Sequence, residues 1–201
     1  MDFELTADQR QIRDTVREFA QQEVAPAAAA HDESGEFPYA VIRGMAEMGL
    51  FGLPFAEEIG GAGGDFTSYC LAMEEIARAD ASVAITYEAA VSLGISPIAS
   101  FGTAEQRQRW PPDLLSGRRL WEFGLTEAGA GSDAGATATR AVRDGDSWVV
   151  NGQKVWTSRA LHSDLMLLLA RTTPLDEVKR KTDGLSVFLI DIRRRLERGL
   201  T

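Results

Sequence analysis

The sequence predicts an α+β protein, in which an all-α N-terminal domain is followed by a domain built of β-strands. Two observations support this. Apolar residues before about Arg118 recur at helical spacing, and those after it alternate or form short runs bounded by turn signals. The 201 residues are enough for one large domain or two modest ones. We expect two domains, residues 1–118 and 119–201.

Helix start and stop signals divide the first domain. Thr6 is followed three residues later by Gln9, the capping-box pattern of a helix start, and Gly49 can end a helix in left-handed backbone. Pro38 suits the first turn of a helix, where its missing N–H costs nothing. With the apolar spacing, these signals predict helices that start after Thr6 and at Pro38, span 67–78 and 82–93, and run from Thr103 to the prolines at 111–112.

Strand and turn signals take over in the second domain. Asp144-Gly145 and Asn151-Gly152 are typical of hairpin turns, because both dipeptides tolerate the positive φ that tight hairpins need. Six segments are apolar or alternating enough to be strands: 120–126, 137–141, 147–150, 153–158, 165–170 and 185–192.

Charge and composition exclude several classes of function. Acids outnumber Lys and Arg by 30 to 21, and the resulting formal charge of −9 disfavours nucleic acid as a partner. No apolar run reaches the length of a membrane span, and no secretory signal opens the sequence, so we expect a cytoplasmic protein. Cys70, the single cysteine, is expected to be a small buried hydrophobe. His31 and His162 lack ligand-spaced partners, so no metal is expected.

The segment FGLTEAGAGSDAGA at 123–136 is the strongest motif. Its core GAGSDA at 129–134 formally satisfies the G-x-G-x-x-A dinucleotide fingerprint. That fingerprint also needs a following helix, and the Asp144-Gly145 turn comes too soon for one. The residues by themselves leave two interpretations open. The loop is either an anion-binding concavity of backbone amides, helped by the Thr126 and Ser132 hydroxyls, or a wide β-turn whose small residues serve packing.

The same segment resembles the first signature of the acyl-CoA dehydrogenases, flavoenzymes that introduce a double bond between Cα and Cβ of acyl-CoA thioesters. NGQKVWTS at 151–158 resembles the second flavin-contacting segment of that family. LAMEEIARADAS, FGTAEQRQRW and DGLSVFLID are similar to further stretches, in the expected order. The resemblance implies an α-helical domain, a β-barrel-like middle domain and a C-terminal four-helix domain, of which this chain matches the first two.

The resemblance implies FAD as the cofactor and an acyl-CoA as the substrate. Phe123, Leu125 and Thr126 would lie beside the isoalloxazine ring. Ser132 would reach the flavin pyrophosphate or the acyl-CoA. Trp156 would cover part of the ring, and Ser158 would add a hydroxyl.

The resemblance names no catalytic residue in this chain, because the family's glutamate base usually lies on the C-terminal domain. Glu122 and Glu127 are the acids nearest the expected flavin site, and Glu127 is expected to hold the glycine-rich loop. We therefore expect residues 1–201 to be inactive by themselves. Two departures from the family pattern are Arg159, where Asn or Gly is common, and a long polar insertion at 173–183.

The resemblance further implies a homo-oligomer and an electron-transfer flavoprotein as the electron acceptor. Two alternatives share the same signatures. One is a non-catalytic subunit that depends on a partner chain. The other is a relative that reacts with oxygen, such as an acyl-CoA oxidase or a flavin monooxygenase.

Overall fold

The computed structural model describes residues 4–193. The chain divides between Arg119 and Leu120 into a helical unit and a sheet unit. This arrangement confirms the predicted α+β class. Residues 1–3 and 194–201, which the two predicted domains include, lie outside the described residues.

The helical unit contains eight α-helices within the described residues. Their bounds are Ala7–Phe19 (α1), Ala25–Ser34 (α2), Tyr39–Glu47 (α3), Phe66–Ala79 (α4), Ala81–Glu88 (α5), Ser96–Phe101 (α6), Ala104–Arg109 (α7) and Pro111–Leu115 (α8). Two π-helical segments, Ala20–Val24 and Ala89–Ile95, join α1 to α2 and α5 to α6. The expected helix stop is confirmed, because α7 ends at Arg109, directly before Trp110 and the prolines. Pro111 and Pro112 then occupy the first turn of a further helix, α8, which was not predicted and where proline is tolerated.

The predicted capping signals are present where the helices begin. The Thr6 hydroxyl accepts from Gln9 N at 3.2 Å, and the Gln9 side chain accepts from Thr6 N at 2.9 Å. Thr103 forms the same capping box ahead of α7. Gly49, with φ 74°, follows the end of α3 in left-handed backbone, as predicted.

One stretch of the helical unit, Ala81–Phe101, is long and apolar enough by length and composition to cross a membrane. The expectation that no run reaches that length is therefore wrong, since three helical segments join end to end here. More than half of its 18-residue apolar window, 56%, is buried inside the protein, as in the core helix of a globular unit. Tyr87 illustrates the burial, since it is fully enclosed and donates to Leu50 O at 2.8 Å. Cys70, by contrast, lies on an exposed face of α4, so its predicted burial is wrong.

The sheet unit is built on five strands, whose bounds are Trp121–Gly124 (β1), Arg140–Asp144 (β2), Ser147–Asn151 (β3), Leu165–Arg171 (β4) and Leu185–Asp191 (β5). Strand β4 is central: it pairs in parallel with β1 and, at its last residue, with β2, and antiparallel with β5. Within residues 4–193 the sheet does not close on itself, so the expected barrel-like form is an open mixed sheet.

One of the two predicted hairpins is confirmed. β2 and β3 pair antiparallel across the turn at Gly145, which has φ 59°. The second is wrong: Gly152 lies against Thr139, where a Cβ would come within 2.6 Å of the Thr139 Cα, and residues 153–158 do not form a strand. Residues 153–158 instead form an irregular segment held to the end of β1.

Candidate functional site

Two segments that the sequence singled out lie side by side at the end of β1. Residues 154–159 run alongside 121–126 in the opposite direction and donate to its backbone carbonyls. The three bonds are Arg159 Nη2 to Trp121 O (2.7 Å), Lys154 Nζ to Leu125 O (2.9 Å) and Val155 N to Thr126 O (2.9 Å). These bonds take the place of the regular backbone pairing between strands. Residues 154–159 are therefore held in position although they do not form a strand.

A buried ion pair anchors the glycine-rich loop to the same place. The Glu127 carboxylate accepts from Lys154 Nζ at 2.8 Å and from the backbone amides of Ala138 at 2.8 Å and Thr139 at 2.9 Å. The Lys154 and Glu127 side chains are only 7% and 9% exposed. Burial by itself would raise the pKa of Glu127, but these donors outweigh it and lower the pKa to about 2. Glu127 therefore holds the loop as an ionised carboxylate, as expected from the sequence.

The glycines at the tip of this loop are not required by the chain's own packing. Glu127 and Ala130 exchange two backbone hydrogen bonds of 3.1 Å, which form a tight turn. A Cβ added at Gly129 or Gly131 would meet nothing within 4 Å. At Gly124, by contrast, it would come within 2.9 Å of the Met166 sulfur. The loop tip is thus open backbone, which leaves room for a bound group to approach closely.

The segment opposite the loop carries an exposed aromatic ring on a strained backbone. Trp156 is 89% exposed and has φ 59°, and Arg159 has φ 63°. The left-handed region is costly for residues with a Cβ, and such residues concentrate at functional sites. The bonds made by Lys154 and Val155 hold the turn on one side, and the bond made by Arg159 holds it on the other.

Three hydroxyls of the expected site residues are available to a ligand. In the part of the chain that the structure describes, the hydroxyls of Thr126, Ser132 and Ser158 make no hydrogen bond. Phe123 and Leu125 are half-buried on and after β1, and Thr126 follows directly. Of the six residues expected near the flavin, five thus lie on the two joined segments, and Ser132 lies on the glycine-rich loop between them in sequence.

A second carboxylate, Glu122, is buried without such partners. It is 3% exposed on β1, and neither of its oxygens has a hydrogen-bond partner among the described residues. Burial raises the pKa of Glu122 to about 7, although the charge of Arg159 acts in the opposite direction. Its neighbour in the sheet register is Met166, which offers no compensating donor. Glu122 is therefore a buried carboxylate without hydrogen-bond donors in the described part of the chain, and it lies on the strand that leads to the site.

Sequence reasoning missed Lys154, although it lies within one of the quoted motifs. A lysine is normally exposed, and nothing in the letters NGQKVWTS distinguishes one that reaches a carboxylate 27 positions away. Across residues 4–193, no group of three or more His, Cys, Asp or Glu side chains is arranged to hold a metal ion.

Comparison with known proteins identifies the family. Residues 6–118 match the family described as acyl-CoA dehydrogenase, N-terminal domain, and residues 122–201 match acyl-CoA dehydrogenase, middle domain. The chain therefore belongs to the acyl-CoA dehydrogenase family. It is 49% identical over 172 residues to the probable acyl-CoA dehydrogenase YngJ of Bacillus subtilis, covering 86% of this chain and 45% of that protein.

Two solved structures extend the comparison to the fold. The complex of glutaryl-CoA dehydrogenase with glutaryl-CoA matches with a TM-score of 0.90 at 33% identity, over 96% of this chain and 49% of that one. The Mycobacterium smegmatis glutaryl-CoA dehydrogenase in complex with FADH2 matches with a TM-score of 0.84 at 31% identity, over 93% and 46%. The chain spans about half the length of the relatives it matches.

Proposed function

We propose that this chain supplies the flavin-binding part of a FAD-dependent acyl-CoA dehydrogenase that forms a Cα–Cβ double bond in an acyl-CoA thioester. The observation that carries the proposal is the joining of two segments, 121–126 and 154–159, by three hydrogen bonds. Each segment resembles a flavin-contacting segment of the family. The junction presents an exposed Trp156 and the hydroxyls of Thr126 and Ser158.

These residues fit FAD. Phe123 and Leu125 offer apolar contact to a flat ring, Trp156 can cover it, and the hydroxyls of Thr126 and Ser158 can donate to its polar edge. Bound FAD supplies a hydride acceptor for the substrate Cβ. Donors at Thr126 and Ser158 would stabilise the negative charge that develops as the hydride arrives, because each hydroxyl is free to turn toward the flavin.

Ser132 and the open loop fit the phosphate-bearing part of a ligand. Gly129 and Gly131 leave the backbone amides of the loop accessible, and Ser132 adds a hydroxyl at an exposed position. Amides and hydroxyls of this kind bind phosphate oxygens. We assign Ser132 to the flavin pyrophosphate or to the acyl-CoA itself.

No general base is assigned to this chain. Removal of the α-proton needs a carboxylate that can accept it, with a pKa suited to the task. Glu127 is committed to three donors and has a pKa of about 2, which makes it a poor base. Glu122 has the higher pKa, about 7, but is 3% exposed. We therefore propose that residues 1–201 by themselves do not dehydrogenate an acyl-CoA.

The wider setting follows from the family. We propose a homo-oligomer that acts in fatty-acid metabolism in the cytoplasm and passes electrons to an electron-transfer flavoprotein. These assignments are supported by the resemblance of the two motifs to the family.

The experiment is anaerobic mixing of the FAD-loaded chain with butyryl-CoA and longer acyl-CoAs while the oxidised flavin band is followed. We expect the band to shift as the thioester binds beside the ring, and to persist. A band that neither shifts nor bleaches would contradict a shared flavin and thioester site. Bleaching at enzyme-like rates would show that a base lies within these residues, and Glu122→Gln and Glu127→Gln would then identify it.

A further inference from the structure

The polar insertion at 173–183 lies in a closed loop, residues 172–184, between β4 and β5. Its neck is formed by the backbone amides of Thr172 and Thr173, which donate to Gly184 O at 2.8 and 3.1 Å. Inside the loop, Arg180 and Asp183 form an ion pair of 2.8 Å. The insertion is thus an ordered element, closed at its neck and braced by an ion pair within it.

Arg171, the last residue of β4, joins this insertion to the glycine-rich loop. Its side chain is buried, and among residues 4–193 its guanidinium donates to four backbone carbonyls. Two acceptors lie at the end of the glycine-rich loop or directly after it, and two lie in the insertion: Gly135 O (2.7 Å), Thr137 O (3.2 Å), Lys181 O (2.8 Å) and Asp183 O (3.1 Å). Because one planar fork satisfies carbonyls on both sides, the two loops are held at a fixed separation.

A second contact lies farther out, next to Ser132. Lys181 Nζ donates to Asp133 Oδ2 at 2.6 Å, and both side chains are about half exposed. The stem of Lys181 lies over Gly135, where an added Cβ would come within 2.9 Å of the Lys181 Cγ. The insertion therefore touches the glycine-rich loop at Asp133 and at Gly135, directly after Ser132.

We propose that the pair formed by Lys181 and Asp133 is a latch by which the insertion positions Ser132 for the phosphate-bearing part of an acyl-CoA. The proposal rests on the function assigned to Ser132 above. Lys181 and Asp133 are positioning residues, since they act through the loop and not by contact with the ligand. The insertion thereby becomes a specificity element that favours thioesters with a nucleotide portion over those without one.

The charges of the latch allow a test that separates positioning from direct attraction. If Lys181 attracted phosphate directly, Asp133→Asn would remove a competing negative charge and strengthen binding. If the pair positions the loop, Asp133→Asn and Lys181→Met must weaken binding alike. Lys179→Met is the matched control, because it removes the same charge from an exposed residue of the same insertion.

The measurement is the Kd of the FAD-loaded protein for coenzyme A and for pantetheine, which lacks the nucleotide phosphates. We expect Lys181→Met and Asp133→Asn each to raise the Kd for coenzyme A about three- to fivefold, the range of a surface ion pair, and to leave the Kd for pantetheine unchanged. The double variant should be no weaker than either single one, because both remove the same contact. Lys179→Met should behave as the wild type.

Amide hydrogen exchange of residues 129–136 provides the second measurement. Exchange should be faster in both latch variants and unchanged in Lys179→Met. Tighter coenzyme A binding by Asp133→Asn, or unchanged exchange in both latch variants, would overturn the latch. If the wild-type protein bound neither FAD nor coenzyme A, the proposed function would fail, and the exchange rates would still decide whether the latch holds the loop.

Discussion

Replacing Glu122 with glutamine should stabilise the protein, and the gain should grow with pH. Gln keeps the shape and polarity of the protonated acid but cannot ionise. Burial raises the pKa of Glu122 from its ordinary value of 4.5 to about 7. Each pKa unit corresponds to about 1.36 kcal/mol, so an ionised Glu122 costs the folded state roughly 3 kcal/mol.

The sign of the pH dependence follows from proton binding. Between pH 4.5 and about 7 the folded state holds a proton on Glu122 that the unfolded state has lost, so stability falls as pH rises through that window. The cost is fully present above pH 7. We therefore expect Glu122→Gln to raise the free energy of unfolding by roughly 3 kcal/mol at pH 8 and by about 1 kcal/mol at pH 5.

The assay is urea unfolding at pH 5 and pH 8, followed by tryptophan fluorescence, with the wild type and Glu122→Gln compared at each pH. Trp121 is 1% exposed and adjacent to Glu122, so its emission reports loss of structure at this strand. Equal destabilisation of Glu122→Gln at both pH values would refute the reasoning. That result would mean that the ionised carboxylate is stabilised, with Arg159 as its partner, and that burial does not dominate.

Three further predictions follow from the same contacts. Glu127→Gln should show the opposite pH dependence: the lowered pKa of Glu127 stabilises the fold above pH 4.5, so the variant should lose roughly 2–3 kcal/mol at pH 7 and almost nothing near pH 2, measured by urea unfolding. Arg171→Lys keeps the positive charge but loses the planar guanidinium. The variant should lose roughly 2–4 kcal/mol of unfolding free energy, because buried carbonyls lose their donor. Equal stability of the variant and the wild type would show that water takes the place of the guanidinium donors. The isolated chain should associate in sedimentation experiments, because its strands present large apolar side chains to solvent. These side chains, each at least 41% exposed, are Val142, Trp148, Val149 and Val187 on β2, β3 and β5. Sedimentation as a monomer would contradict this prediction.

The sequence predicted the ends of the helices well, because the groups that cap a helix lie within a few residues of one another. A capping box such as Thr6 with Gln9 joins groups three residues apart, so the sequence contains both partners. The glycine cap at Gly49 is likewise decided by backbone conformation at one position. The end of α7 was predicted from the same kind of signal, whereas α8 was not, because Pro111 both stops one helix and starts the next.

The sheet unit was predicted less well because its pairing is decided by distant residues. Asn151-Gly152 has the composition of a hairpin turn, but Gly152 is needed for close approach to Thr139. Residues 153–158 alternate like a strand, yet their partners are the carbonyls at the end of β1, bonded partly through the side chains of Lys154 and Arg159. The β-barrel-like form expected from the family is, within residues 4–193, an open sheet around β4.

The two motifs predicted which segments form the candidate site, but they did not predict which residues hold those segments in place. Phe123, Thr126 and Trp156 stand in segments whose composition is distinctive. The residues that hold those segments, Lys154 and Arg171, are ordinary cations in the sequence. Only the fold shows that each is buried and that each reaches carbonyls or a carboxylate on another segment.

The most direct test of the central claim is titration of FAD into the 201-residue chain. The wild type, Thr126→Val and Trp156→Ala would be compared with Trp148→Ala, which removes another exposed tryptophan outside the two joined segments. We predict that the wild type binds one FAD, that Thr126→Val raises the Kd about fivefold through loss of one donor worth about 1 kcal/mol, and that Trp156→Ala raises it further. Trp148→Ala should bind as the wild type does. No FAD binding by the wild type, or the same affinity for all four proteins, would contradict the assignment of a flavin site to these residues.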